Sequence, residues 1–162
     1  NSVSSSGTSR NPWLDDLHSA DSHIHYSGDN RDPAKDPFDA QGNSMLLQEH
    51  SFISSADRGM RLKATPVISF ERVKVGSKIK GYLKFLGFGF VARAEHVTEF
   101  PAHGPSFENF RFQVRFLQPH SETLLDWEWI SARRNPTLSD EDCLRLAPLS
   151  WQKGIQHGFY WN

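Results

Sequence analysis

The sequence predicts an α+β domain: a β-rich centre, built as a curled or barrel-like antiparallel sheet, with flanking helices. Three observations lead there. Between Thr65 and Ile130, apolar and polar residues alternate in short runs broken by turn residues, the pattern of consecutive antiparallel strands. On either side of that stretch the apolar spacing becomes helical, with capping residues at the expected starts. Five Trp, three Tyr and twelve Phe in 162 residues supply the bulk for one real core.

The elements follow in order. "NSVSSSGTSRN" (1–11) is rich in Ser and poor in apolar residues, and reads as a flexible linker or cloning remnant. The folded domain is expected over 12–162. A short strand is predicted around His23–Tyr26, then a polar loop with two Asp-Pro steps, longer than most connections and so expected to be functional or mobile. "SMLLQEHSFISSA" has the spacing of an amphipathic helix, with Asn43 or Ser44 as its cap. The strands come next: "TPVISFERV", "SKIKGYLKFLG", "FGFVARAEHVTEF" after Gly87, and "FENFRFQVRFL". In the last of these, Phe110, Phe112, Val114 and Phe116 point one way and Arg111, Gln113 and Arg115 the other. "TLLDWEWIS" is expected to close the series, with Leu125, Trp127 and Trp129 on one side. Two helices end the chain. Ser139 caps "DEDCLRLA", whose first turn is acidic, and "PLSWQKGIQHG" stops at Gly158.

Composition excludes several classes. The single cysteine, Cys143, permits no internal disulfide and no cysteine-based zinc site, and its acidic neighbours disfavour a reactive thiolate. No apolar run approaches the roughly 18–20 residues of a membrane span, so a cytoplasmic chain with no membrane partner is expected. The pair His23 and His25 shares a strand face, but neither HExxH nor a Cys-His pattern supplies a third metal ligand. "GDN" at 28–30 and "ERVK" at 71–74 do not make a nuclease motif, because Glu71 and Lys74 lack the alternate spacing of a strand face. A binding module without catalytic residues, metal or cofactor is the expectation.

The net charge of −1 conceals a strong asymmetry. Residues 1–57 carry three basic against nine acidic side chains, and residues 94–162 carry six against nine. The 36 residues between them carry nine against one: Arg58, Arg61, Lys63, Arg72, Lys74, Lys78, Lys80, Lys84 and Arg93 against Glu71. Such a segment suits a polyanion, and it equally suits solvated strand edges.

One loop stands apart. "EFPAHGPSFENF" (99–110) sets Phe100 and Pro101 beside His103 and Gly104 where two prolines and a glycine force a shaped turn. Either Phe100 folds back onto the core or the loop offers a small apolar pocket.

The stretches "HYSGDNR", "GNSMLL", "FPAHG", "FENFRFQVRFL", "LDWEWISARR" and "APLSWQKGIQHG" occur in this order between residues 20 and 158. Together they resemble the modification-reading domains of type IV restriction endonucleases. Among these, the set is similar to the sulfur-binding domain of McrA-like HNH endonucleases, which recognises phosphorothioate DNA. The N-terminal domain of AspBHI-like enzymes is a second relative, and it implies a rival reading as an SRA-like reader of 5-methylcytosine.

The first resemblance implies a sulfur pocket at Phe100, Pro101, His103 and Gly104, although Phe100 and Gly104 replace the Tyr and Ala of that family's pattern. It implies Arg31, flanked by Asn30, beside the modified phosphate, and Arg133 and Arg134 on neighbouring phosphates or bases. Such a cup would discriminate because an ordinary phosphate oxygen there would lose its hydration unpaired. Arg58 is a further candidate for guanine in the major groove, and Lys74, Lys78 and Lys80 for salt-sensitive phosphate contacts. The implied partner is double-stranded, phosphorothioate-modified DNA, with cleavage on a fused HNH domain. A protein-interaction module with no nucleic-acid ligand is the alternative from another class.

Overall fold

The computed structural model describes residues 2–5, 17–18, 23–72, 76, 82–117 and 127–159. Six strands form one sheet: β1 (Ser2–Ser5), β2 (Leu17–His18), β3 (His23–Ser27), β4 (Val67–Arg72), β5 (Leu83–Glu99) and β6 (Phe107–Phe116), in the spatial order β1-β4-β5-β6-β3-β2. All pairings are antiparallel except β1 with β4. Among the described residues the two ends of the sheet do not meet, so it is open rather than barrel-like. Within the segment 1–11, Ser2–Ser5 lie in register with Ile68–Glu71, and the rest of that segment is outside the described residues.

The long hairpin of β5 and β6 is the frame. Its pairing runs from Gly89–Phe116 to Glu99–Phe107 with one bulge between Val91 and Arg93. β5 is a single strand through Gly87 rather than two strands parted there, and the irregularity lies between Ser69 and Phe70 of its neighbour β4. One face of the sheet buries Ile24, Val91, Phe110, Phe112, Val114 and Phe116 against Leu46 of helix α1 (Gln41–Ser54). A second cluster joins Phe88 and Phe90 to Trp129, Trp151 and Ile155 from helices α3 (Trp127–Ala132) and α5 (Leu149–His157).

Three local expectations are corrected. Residues 127–132 are helix, not strand. Trp129 is fully buried, with Phe88 at 5.5 Å and Trp151 at 5.7 Å between ring centroids, while Trp127 is 61% exposed. A strand would put two residues of that spacing on one face, whereas a helix turns them roughly 200° apart. Leu125 is outside the described residues. Trp129, Phe88 and Phe90 are therefore core side chains. Helix α1 starts before Asn43, with Ala40 as its N-cap and no side-chain cap. The Asn43 side chain points instead to the preceding loop. A short helix absent from the sequence reading, α2 (Arg58–Leu62), starts at Asp57, whose carboxylate accepts from the Met60 N–H.

The C-terminal helices follow the prediction. Ser139 caps α4 (Asp140–Arg145) by accepting from the Asp142 N–H at 3.2 Å, and α5 ends at Gly158 with φ of 91°.

Candidate nucleic-acid interface

Directly opposed residues in antiparallel strands share a face. In the register observed, Arg111 lies between Ser27 and Glu95, Gln113 between His25 and Arg93, and Arg115 opposite His23. The alternation of β6 thus buries Phe110, Phe112, Val114 and Phe116 and presents Arg111, Gln113 and Arg115 on the other side, as the sequence predicts. Around them the sheet face holds a cavity of about 190 Å³ lined by His23, His25, Arg93, Glu95, Arg111, Phe112 and Gln113. The His23 and His25 rings do share that face, 5.2 Å apart. Among the described residues no group of three potential ligands could hold a metal ion.

The chemistry of this face is specific. Arg93 pairs with Glu95 at 2.6 Å, which occupies one of two carboxylate oxygens. Arg111 approaches Glu99 at 3.8 Å. The cavity therefore combines guanidinium donors, an acceptor carboxylate, an amide able to do both, and two imidazoles. Such a set can complement a phosphate and the polar edge of a base together.

A second element is the loop 28–40 between β3 and α1, held by buried amides. Asn43 accepts from the Asp29 N–H at 2.8 Å and donates to the Pro37 carbonyl at 2.9 Å and to Asn109 Oδ1 at 3.2 Å. Asn109 donates to the Gly28 carbonyl at 3.0 Å. Asn30 is buried too, its Nδ2 directed at the carbonyls of Asp32, Lys35 and Glu108. The loop is thus built on the hairpin next to its tip, at residues 108–110, with Arg31 exposed on it and Tyr26 donating to Asp29 at 2.7 Å.

Of the remaining residues named from sequence, the tip quartet lies at the same end of the hairpin as the loop 28–40, and the others lie elsewhere. Phe100, Pro101, His103 and Gly104 form the tip of the β5–β6 hairpin, where Phe100 is 80% exposed rather than folded onto the core. Gly104 has φ of 104°, and a side chain there would meet nothing within 4 Å. Arg58 lies on α2 with both terminal nitrogens on the Glu141 carboxylate and its Nε on Gln156. That hydrogen-bonded pair holds the Glu141 carboxyl below the usual range and raises Arg58. Arg133 donates to the Ala64 carbonyl at 2.8 Å, and its neighbour Arg134 is exposed. Lys74, Lys78 and Lys80 are outside the described residues. The structure brings Asn30 and Arg31 together at one loop but sets them apart from Arg58, on α2 beside α4 and α5.

Sequence reasoning found the outward residues of β6 and missed what faces them. Arg93, Glu95, His23 and His25 reach the same cavity only through pairings between strands distant in the chain. The strand alternation of each was the available signal, and the register was the missing one.

An open sheet with a polar, arginine-bearing face on its most regular hairpin defines a binding scaffold. The comparisons give the lineage. The family model described as restriction endonuclease AspBHI N-terminal matches residues 2–161, and the chain belongs to that family. Of the two relatives the sequence suggested, this is the AspBHI-type domain. In structure, the chain is similar to the MspJI restriction endonuclease in complex with a 27-mer oligonucleotide, at 30% identity and a TM-score of 0.85, over 97% of this chain and 37% of that one. It therefore spans little more than a third of the MspJI chain. The DNA modification-dependent restriction endonuclease AspBHI shares the fold at 21% identity and a TM-score of 0.70, over 95% of this chain and 68% of that one. So does the DNA recognition domain of the cytosine modification-dependent restriction endonuclease LpnPI, at 20% identity and 0.66, over 83% and 61%. No curated protein matches the sequence. No helix among the described residues is long and apolar enough to cross a membrane.

Proposed function

We propose that this chain is the non-catalytic DNA-recognition domain of a modification-dependent restriction endonuclease, and that the modification it reads is on cytosine. The observation that carries the reading is family membership across residues 2–161, in a fold shared with AspBHI and with a recognition domain described as cytosine modification-dependent. This reading replaces the phosphorothioate one, to which none of those descriptions points. Cleavage belongs to a separate nuclease domain of the full-length enzyme.

The sheet-face cavity offers the chemistry. A modified base inside a duplex must leave the stack to be inspected on its pairing edge, at a cost of a few kcal/mol that contacts in the pocket offset. Glu95 can accept from the exocyclic amine that distinguishes cytosine, and Gln113 can bond the adjacent ring positions. Arg111 and Arg93 supply donors for the phosphates beside the extruded nucleotide, which positions the strand without reading it.

The test is competition binding at about 0.1 M salt with one duplex in three forms: plain, 5-methylcytosine, and stereo-defined phosphorothioate. The methylated duplex should win, and Glu95→Ala should remove that preference while leaving binding to plain DNA unchanged. Arg111→Ala should weaken all three alike and flatten the salt dependence by about one unit of slope. Preference for one sulfur diastereomer would replace this reading with the sulfur cup at Phe100. Equal binding to all three would leave a basic surface with no reader.

A further inference from the structure

Resting on the reading as a DNA-recognition domain, we infer that the β5–β6 hairpin tip is a wedge whose Phe100 ring inserts between base pairs a few steps from the modified base. Phe100 is the most exposed large apolar side chain among the described residues, at 80%. Isolated exposed apolar residues are ordinary, so exposure alone says little. What distinguishes this one is its mounting.

The arm beneath it is stiff. Cross-strand pairing continues without interruption from Arg93–Gln113 to Glu99–Phe107, directly below the tip. Two of the three carboxylates on this arm face an arginine, Glu95 facing Arg93 at 2.6 Å and Glu99 facing Arg111 at 3.8 Å, and Glu108 lies 3.2 Å from the His96 imidazole. Thr98 donates to Glu108 as well, at 2.8 Å. The connection "FPAHGPS" (100–106) has no acidic residue. Pro101 and Pro105 restrict the backbone on both sides, and the space around Gly104 is open. A rigid arm whose tip bears no carboxylate, ending in a flat ring, suits a base step in an anionic duplex. An aromatic side chain there gains stacking area on both sides, and apolar wedges of this type unstack and kink the step they enter.

The geometry fixes the range. Five residues separate Glu95 from Phe100, so the ring lies at most about 17 Å from the cavity along the strand. At about 3.4 Å per base pair, that reaches a step within about five pairs of the modified base. Flexible pyrimidine–purine steps are the least costly to open, so the wedge would confer a context preference at positions where no base edge is read.

The experiment places 2-aminopurine, one position at a time, along a methylated duplex and its plain counterpart, and measures fluorescence with the wild-type chain, Phe100→Ala and Phe100→Trp. A wedge raises fluorescence at one step within five pairs of the methylcytosine. The signal should vanish in Phe100→Ala, with affinity down about 5- to 100-fold, and return in Phe100→Trp. The methylated-to-plain preference should stay the same in Phe100→Ala, because the wedge acts on both duplexes. An unchanged fluorescence profile and affinity within twofold in Phe100→Ala would overturn the wedge. If the wild-type chain showed no preference for methylated DNA, the cytosine reading would fail. A Phe100-dependent signal on either duplex would still support insertion.

Discussion

Replacing Asn43 by alanine removes three hydrogen bonds from a fully buried position, and the cost can be worked from the structure. Its Oδ1 accepts the Asp29 N–H, and its Nδ2 serves the Pro37 carbonyl and Asn109 Oδ1. A hydrogen bond contributes about 1 kcal/mol net, and a buried partner left unsatisfied costs about 1–3 kcal/mol. Three broken bonds give about 3–4 kcal/mol, from which the better helix propensity of alanine inside α1 subtracts about 0.5 kcal/mol. A net loss of about 3 kcal/mol is a large part of a typical stability of about 5–15 kcal/mol. With a urea slope of about 2 kcal/mol per molar, the midpoint of unfolding should fall by about 1.5 M. Asn43→Asp keeps the acceptor for Asp29 but turns a carboxylate oxygen towards the Pro37 carbonyl and Asn109 Oδ1, so it should cost at least as much. The double substitution with Asn109→Ala should be less damaging than the sum of the singles by at least about 0.5 kcal/mol, because the two amides bond each other. A midpoint shift below about 0.5 M for Asn43→Ala would show that the loop 28–40 is held by something other than these amides.

Two further outcomes follow from the same packing. Gly28→Ala would place a methyl carbon 2.2 Å from Asn43 Oδ1 and 2.5 Å from Asn109 Oδ1, so both amides must move. We expect a loss of about 3 kcal/mol or more, read as a thermal midpoint lowered by roughly 10 °C, and a shift under about 2 °C would contradict this geometry. Partial burial holds the His50 imidazolium pKa below its ordinary value, with a hydrogen bond to the Ala92 backbone partly opposing the effect. The unfolded chain then takes up a proton more readily than the native one, so stability is full above about pH 6.5 and declines as the pH falls through the lowered native value. Thermal midpoints of His50→Gln compared with wild type from pH 8 to pH 5 should differ most in that acidic window, the variant losing less, and parallel curves would rule the effect out.

How much was legible depends on how far each feature reaches along the chain. β6 could be read because alternation over Phe107–Phe116 is a local property, and α4 because Ser139 and three acidic residues lie within one turn. The segment at Trp127 and Trp129 misled for the same reason. Two tryptophans two residues apart imitate a strand, and only the burial of Trp129 between Phe88 and Trp151 decides for helix. Asn43 was legible as a helix-start residue, yet its partners are 14 and 66 positions away, where no capping rule looks. The sheet-face cavity combines strands from residue 23 to residue 113, so each lining residue could be placed on an outward face but not beside the others.

The charge asymmetry shows the same limit and bears on the proposed interface. Two of the nine cations between residues 58 and 93 serve the fold itself. Arg61 is buried and donates to the carbonyls of Ser55 and Ala56, just past the end of α1, and of Ile155 and Gln156 near the end of α5, a favourable place for a cation. Arg58 closes on Glu141 and Gln156. These two arginines clamp the helices rather than extend a basic patch. The excess of nine to one thus overstates the field offered to a polyanion, while the acidic count beyond residue 93 overstates the repulsion. Glu95 and Glu99 each face an arginine, and Glu141 is neutralised by Arg58. A chain of net charge −1 can therefore present a DNA-compatible face, because attraction depends on which charges remain exposed and unopposed on one side of the sheet, and the pairing of strands and helices, not the count of residues, decides that.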